Sequence, residues 1–120
     1  HISDEIKIKV GKKVASRMEK QFPQMMRQQV NDAGLYENPV NKESFVKYVE
    51  YQCIHTYIFN DYYGDMRDIL KQNGYDEKYS NELSHKMLED YFWDECVKQT
   101  VERAKQKAPQ IVKEYKKSVK

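Results

Sequence analysis

The residues best suited to chemistry in this chain are its two cysteines, Cys53 and Cys96, and two acidic stretches in its middle part. Each cysteine lies well inside a segment with helical apolar spacing. Two half-cystines on facing helices would staple a bundle across its middle, as small exported domains do when their core alone is marginal. We therefore expect a Cys53–Cys96 disulfide and an oxidising compartment, periplasmic or secreted. The alternative is a pair of reduced core thiols in a cytosolic protein, since free cysteine packs as a small hydrophobe. Two cysteines with no C-x-x-C and no H-x-x-x-H spacing fall short of the four ligands of a structural zinc site, so neither metal nor cofactor is expected. A cysteine nucleophile paired with His55 or His85 has no source of activation, because both cysteines sit on apolar stripes and not at helix N-termini, where a thiolate is stabilised. His55 also faces away from Cys53, two residues earlier on a helix.

Asp61, Asp65 and Asp68 fall at i, i+4 and i+7 if one helix runs through Gly64, which aligns three carboxylates on one face. With Glu89, Asp90, Asp94 and Glu95 on a following helix they have the oxygen chemistry to hold Mg²⁺ for pyrophosphate hydrolysis. In these two stretches the chain resembles the all-α nucleotide pyrophosphohydrolases. The paired E-x-x-E and E-x-x-D helices of that family are not reproduced, however, so solvated acidic faces are the preferred reading. The same region is crowded with aromatics: Tyr57, Phe59, Tyr62 and Tyr63 among the first acids, Tyr91, Phe92 and Trp93 among the second. The chain has 10 tyrosines, more than a core of this size buries with every hydroxyl satisfied, so some stand at the surface. Tyrosines beside carboxylates near Gly64 have the make-up of a hot spot for a protein with a basic surface: rigid aromatic area, rimmed by charges that steer the encounter. Asp61, Tyr62, Tyr63, Asp65 and Asp68 are the expected partner-binding residues.

The elements that must position these groups all read as helices. Ser3, Asp4 and Glu5 make a cap and an acidic first turn, after which Ile6, Val10, Val14, Met18 and Phe22 recur at every fourth residue. Ile6, Ile8 and Val10 also alternate as a strand would, but no second alternating segment exists to pair with them. Pro23 kinks or breaks this helix, and Met25, Met26 and Val30 continue its face to Gly34. Asn38 and Pro39 mark a turn, and Asn41 caps a second helix carrying Phe45, Val46, Val49, Cys53, Tyr57 and Ile58 through the centre. Gly64 interrupts the pattern. A short helix with Met66, Ile69 and Leu70 stops at Asn73 and Gly74, and the longest segment runs from Asp76 or Ser80 to about Lys107, where Pro109 ends it. Ile111, Val112, Tyr115 and Val119 then form a last amphipathic piece. The expected fold is all-α, a mostly antiparallel bundle of four to five helices in a single domain over residues 1–120.

Composition narrows the class further. The net charge of +2 conceals segregation: residues 1–30 hold seven Lys or Arg against three acids, residues 96–120 eight against two, and residues 31–95 six against 14. Such asymmetry matters if it persists on the folded surface. The lysine-rich ends lack interleaved aromatics, Gly-rich motifs and a helix-turn-helix signature, so no nucleic-acid partner is expected, and no apolar run is long enough for a membrane span. The start at His1 fits a mature exported protein or a trimmed chain equally. A small helical bundle with Cys53 and Cys96, an acidic aromatic surface and no active site resembles the bacterial periplasmic inhibitor proteins, such as immunity proteins that neutralise type VI secretion effectors. That resemblance implies a non-enzymatic protein that covers the catalytic cleft of a cell-wall hydrolase, and a homodimer in many members. A periplasmic chaperone or secretion accessory protein is a second binding role, and a Mg²⁺-dependent nucleotide pyrophosphohydrolase is the enzymatic alternative.

Overall fold

In the computed structural model, which describes residues 3–33, 40–55 and 63–119, Ser3 caps the first helix as its sequence requires. Its hydroxyl accepts the amide of Ile6 at 3.3 Å, and helix α1 follows over Asp4–Glu19. The period-four apolar residues Val10, Val14 and Met18 are all buried on one face. That face needs a helix, and the alternation of Ile6, Ile8 and Val10 gives no strand: the described residues are all-helical or irregular.

Pro23 has no amide to donate to the carbonyl of Glu19, and its ring crowds that carbonyl, so the α ladder must fail one turn earlier. Helix α1 accordingly ends at Glu19, and α2 restarts over Phe22–Ala33. Asn41 and Ser44 exchange side-chain and backbone hydrogen bonds, a capping box that starts α3 at Lys42 and carries it to Gln52. Residues 53–55 continue it as a π-helical turn. Helix α4 spans Tyr63–Gln72 with Gly64 in its first turn. It stops where Gly74 adopts φ +93°, with the amides of Gly74 and Tyr75 bonded to the carbonyls of Lys71 and Leu70. Only a residue without Cβ takes that left-handed position without strain, and the two bonds satisfy carbonyls that the helix end would leave open. Asp76 then caps α5, Glu77–Tyr91, by accepting the amide of Tyr79 at 2.8 Å.

Three features depart from expectation. The described residues contain six α-helices instead of four or five, because Pro23 divides the first segment and a π-helical segment, Phe92–Val97, separates α5 from α6 at Lys98–Ser118. Pro109 does not end α6 but sits within it. It stands on the exposed side, so the carbonyl of Lys105 that loses its amide partner faces water, while Ala104, Ala108 and Val112 stay buried on the inner side. The third departure concerns the cysteines: Cys53 and Cys96 are both buried free thiols, not a disulfide. The Cys53 sulfur meets the Thr100 hydroxyl, one turn beyond Cys96, and that hydroxyl in turn donates to the Cys96 carbonyl at 2.8 Å.

Residue pairs across the helices give their directions. Gly11 lies against Glu95 and Gln99, Ser16 accepts from Arg103, and Glu19 pairs with Arg103 and Lys107, so α1 and α6 run parallel. Cys53 beside Thr100, and Lys42 and Lys47 beside Lys105, set α3 antiparallel to α6. One core runs through all six helices, from Phe22 and Phe45, whose rings meet edge to face at 5.7 Å, to Met66, Ile69 and Leu70 of α4. The body measures 52 × 22 × 20 Å with a radius of gyration of 16.1 Å, above the ~13–14 Å of a spherical domain this long. A straight helix from residue 77 to 118 would reach about 62 Å, more than the 52 Å long axis, so this run bends. The π segment is where its α ladder is interrupted.

Helix α1 meets that segment backbone to backbone. A Cβ placed on Gly11 would lie 2.0 Å from the carbonyl oxygen of Glu95. Gly11→Ala should therefore lower the unfolding free energy by about 1–2 kcal/mol, the overpacking strain exceeding the gain of about 1 kcal/mol that alanine brings to a helix. Urea denaturation checks this. A variant as stable as the parent would show that the two helices do not approach this closely.

Candidate functional site

Of the five residues expected to bind a partner, Asp61 and Tyr62 lie outside the described residues, and Tyr63 opens α4. Asp65 and Asp68 are fully placed, and on different sides. Asp65 is 4% exposed and turned into the body, where it accepts a hydrogen bond from the Arg17 guanidinium and lies 3.9 Å from the Lys13 ammonium. Asp65 thus presents little surface to a partner in this fold, and three residues on, Asp68 carries the exposed charge. A carboxylate this enclosed requires the compensation that Lys13 and Arg17 supply from α1, and this pairing holds α4 to α1. Among the described residues no three His, Cys, Asp or Glu side chains converge as a metal site requires.

The second acidic and aromatic run does reach the surface. On the π segment and the residue pair leading into it, Asp90, Trp93 and Asp94 are exposed, Trp93 by 55%. A π turn shifts the side chains that follow it around the axis. Here Cys96 and Val97 point into the core while an indole stands outward between carboxylates. An open groove of ≈ 500 Å³ continues from Asp94 and Glu95 along α6 past Lys98, Glu102 and Arg103.

A second aromatic group lies on α3 and its π turn. Tyr51 is 53% exposed and stacks against Tyr48 at 6.2 Å, with the His55 ring 4.4 Å away on its other neighbour position. The Tyr48 hydroxyl donates to Asp32 and accepts from Gln52, each at 2.8 Å. Burial, then the Asp32 carboxylate, pushes the Tyr48 phenol up to about 12. Reciprocally, the Tyr48 hydroxyl and then the Gln28 amide hold Asp32 below the usual carboxylate range. The sequence places Trp93 within an acidic run and Tyr51 off the apolar face of its helix, and neither is among the expected partner-binding residues. The signal available was that both lie off the buried periodicity of their helices, which marks a large aromatic as exposed.

Neither thiol is equipped as a nucleophile. Burial pushes Cys53 up to about 12, partly offset by the Thr100 hydroxyl, and pushes Cys96 to about 12, with the neighbouring Cys53 and Glu95 adding to it. A thiolate fraction that small at neutral pH gives no reactivity toward substrate. Comparison of the chain with protein-family models, curated proteins and solved structures returns no match.

Two measurements follow from these placements. Asp65→Ala, which leaves Arg17 and Lys13 facing a hole, should cost about 2–4 kcal/mol of stability, whereas Asp68→Ala should change it by less than about 0.5 kcal/mol. Equal effects in denaturant titrations would contradict the assignment of Asp65 as the inward residue. The raised thiols also set an alkaline limit. Because the fold favours their protonated form, their contribution is fully present below the ordinary thiol value of 9.0 and is lost as pH rises toward about 12. Stability should fall between about pH 9 and pH 12, and alkylation at about pH 8 should be slow until denaturant is added. Rapid labelling of the native protein would show the thiols to be accessible.

Proposed function

We propose that this chain is a non-enzymatic binding protein that recognises a partner with a basic face and, by covering that face, inhibits it. The observation that carries this reading is Trp93, a large aromatic 55% exposed on an irregular helical turn and flanked by the exposed carboxylates Asp90 and Asp94. An indole held on a helical frame offers contact area at small entropic cost, and the surrounding acids select a cationic partner and speed its approach. Exposed Asp68 belongs to the same charge class on α4. Asp61, Tyr62 and Tyr63 remain proposed contributors. Asp65 serves by fixing α4.

Inhibition in the manner of an exported immunity protein is one form this binding takes. The export element of that comparison rested on a disulfide, and two free thiols at Cys53 and Cys96 withdraw that ground. The binding reading stands on the surface alone.

Trp93→Ala should weaken the complex by about 2 kcal/mol or more if the indole is a hot spot, and Asp94→Lys should slow association most at low salt. Both positions are exposed, so folding should be unchanged by circular dichroism. The measurement is affinity capture followed by titration of the recovered partner against both variants. If the wild-type chain instead hydrolyses nucleotides with Mg²⁺, and Asp61→Asn abolishes that activity while neither variant alters any complex, the proposal fails.

A further inference from the structure

The outward face of the π segment and α6 carries a charge pattern that begins at Asp94 and extends beyond the surface around Trp93. Asp94, Lys98, Glu102 and Lys105 are all exposed and lie on one helical face at spacings of four, four and three residues. Their signs alternate: negative, positive, negative, positive. The groove of ≈ 500 Å³ borders three of them, Asp94, Lys98 and Glu102, on the side toward Gln99, Arg103 and Gln106, while Lys105 lines a separate cleft with Lys42, Glu43, Val46 and Lys47 of α3. On the Gln99 and Arg103 side α1 is engaged, through Gly11 and the Arg103–Ser16 hydrogen bond of 2.9 Å, and Lys105 borders α3, while Asp94, Lys98, Glu102 and Lys105 themselves stay exposed.

An alternating stripe has a geometric property that a uniform one lacks. Laid against a parallel copy of itself it places like charges opposite one another at each level. Turned end for end about a point near residue 100, it places Asp94 opposite Lys105 and Lys98 opposite Glu102, so each level joins opposite charges. The stripe is thus self-complementary in one orientation only, which is the condition for an isologous twofold contact. Larger-scale charge agrees. Residues 63–97 hold nine acids against four bases and residues 98–118 seven bases against two acids. End-for-end pairing sets the acidic part of each copy beside the basic part of the other. Trp93 then stands beyond the last pair at either end, beside residues 106–109 of the second copy, where an exposed indole has an aliphatic and amide surface to cover.

We infer that the Asp94–Lys105 face of the π segment and α6 is a docking surface for a second copy of this chain in the antiparallel orientation. This rests on the reading of the Trp93 region as a protein-binding surface and names a partner for it. The contact spans about 16 Å of helix, so it forms a salt-sensitive dimer that dissociates readily and leaves Trp93 available to a tighter partner. The intrachain Lys105–Glu102 pair at 3.3 Å is solvent-exposed on both sides and is exchanged at little cost.

Sedimentation equilibrium of the full chain tests the inference. At about 0.02 M salt a dimer should be populated, and at about 0.5 M salt, where the screening length falls to a few ångströms, a monomer. Lys98→Glu places like charges opposite one another twice, once for each copy, and should weaken the dimer by about tenfold or more. The exchange variant Lys98→Glu/Glu102→Lys restores both pairs and should return the affinity to within about threefold of the parent. A dimer insensitive to Lys98→Glu, or one that the exchange fails to rescue, overturns the inference, as does a chain that stays monomeric at low salt. If a monomeric chain still loses a basic partner through Trp93→Ala, the pairing is wrong and the broader binding role survives.

Discussion

The close approach of α1 to the π segment is the constraint on which the rest of the arrangement depends. Helix axes that carry side chains on both surfaces stay about 8–10 Å apart, but Gly11 lets the α1 backbone reach the carbonyl of Glu95 directly. That contact fixes α1 parallel to α6. Everything else is then placed relative to this pair: α2 continues from α1 along α6, α3 returns antiparallel to α6, and α4 is tied to α1 through Asp65, Arg17 and Lys13. Glycine here serves proximity and not an unusual backbone angle, since its φ lies in the ordinary helical range.

The local rules of helix beginning and ending were legible in the sequence, and the structure uses them as read. Ser3, Asn41 and Gly74 cap or stop helices where their side chains or lack of one would place them, and Pro23 separates α1 from α2. Where the side chains are described, the apolar periodicity marks the core face, from Val10 and Val14 to Met66 and Leu70. Pro109 misled because a proline on the wet side of a long amphipathic helix costs one hydrogen bond that water replaces, and the packing of Ala104, Ala108 and Val112 outweighs it. The bond between Cys53 and Cys96 was a pairing inferred from type and spacing alone. Whether two buried sulfurs bond is decided by their distance and direction, which depend on helix phase, and a π turn alters that phase without any mark in composition.

The candidate surface was legible only in part, for the same reason. Acid and aromatic residues occur in both halves of the middle region, and their types do not say which of them face out. Asp65 and Asp68 are one turn apart in sequence type and chemistry, yet one is sealed behind Lys13 and Arg17 and the other is in solvent. The difference lies in what α1 offers opposite each position. That is a tertiary fact, and no single-segment pattern contains it.

The six-residue π segment has a consequence for how this sequence can change over time. A π turn is in effect an α-helix that has accepted one additional residue, and the surplus is absorbed locally as a wider turn. Deleting a single residue from Phe92–Val97 would let the run close into continuous α-helix with almost no net rotation, because six π residues at about 80° each and five α residues at about 100° each sweep nearly the same angle. The inward faces of α5 and α6 would still share a side, whereas the same deletion inside α5 or α6 would turn one face by about 100° against the other. Lineages of this protein should therefore tolerate the loss of one residue within the π segment far more readily than a change of length elsewhere between Leu83 and Ala104.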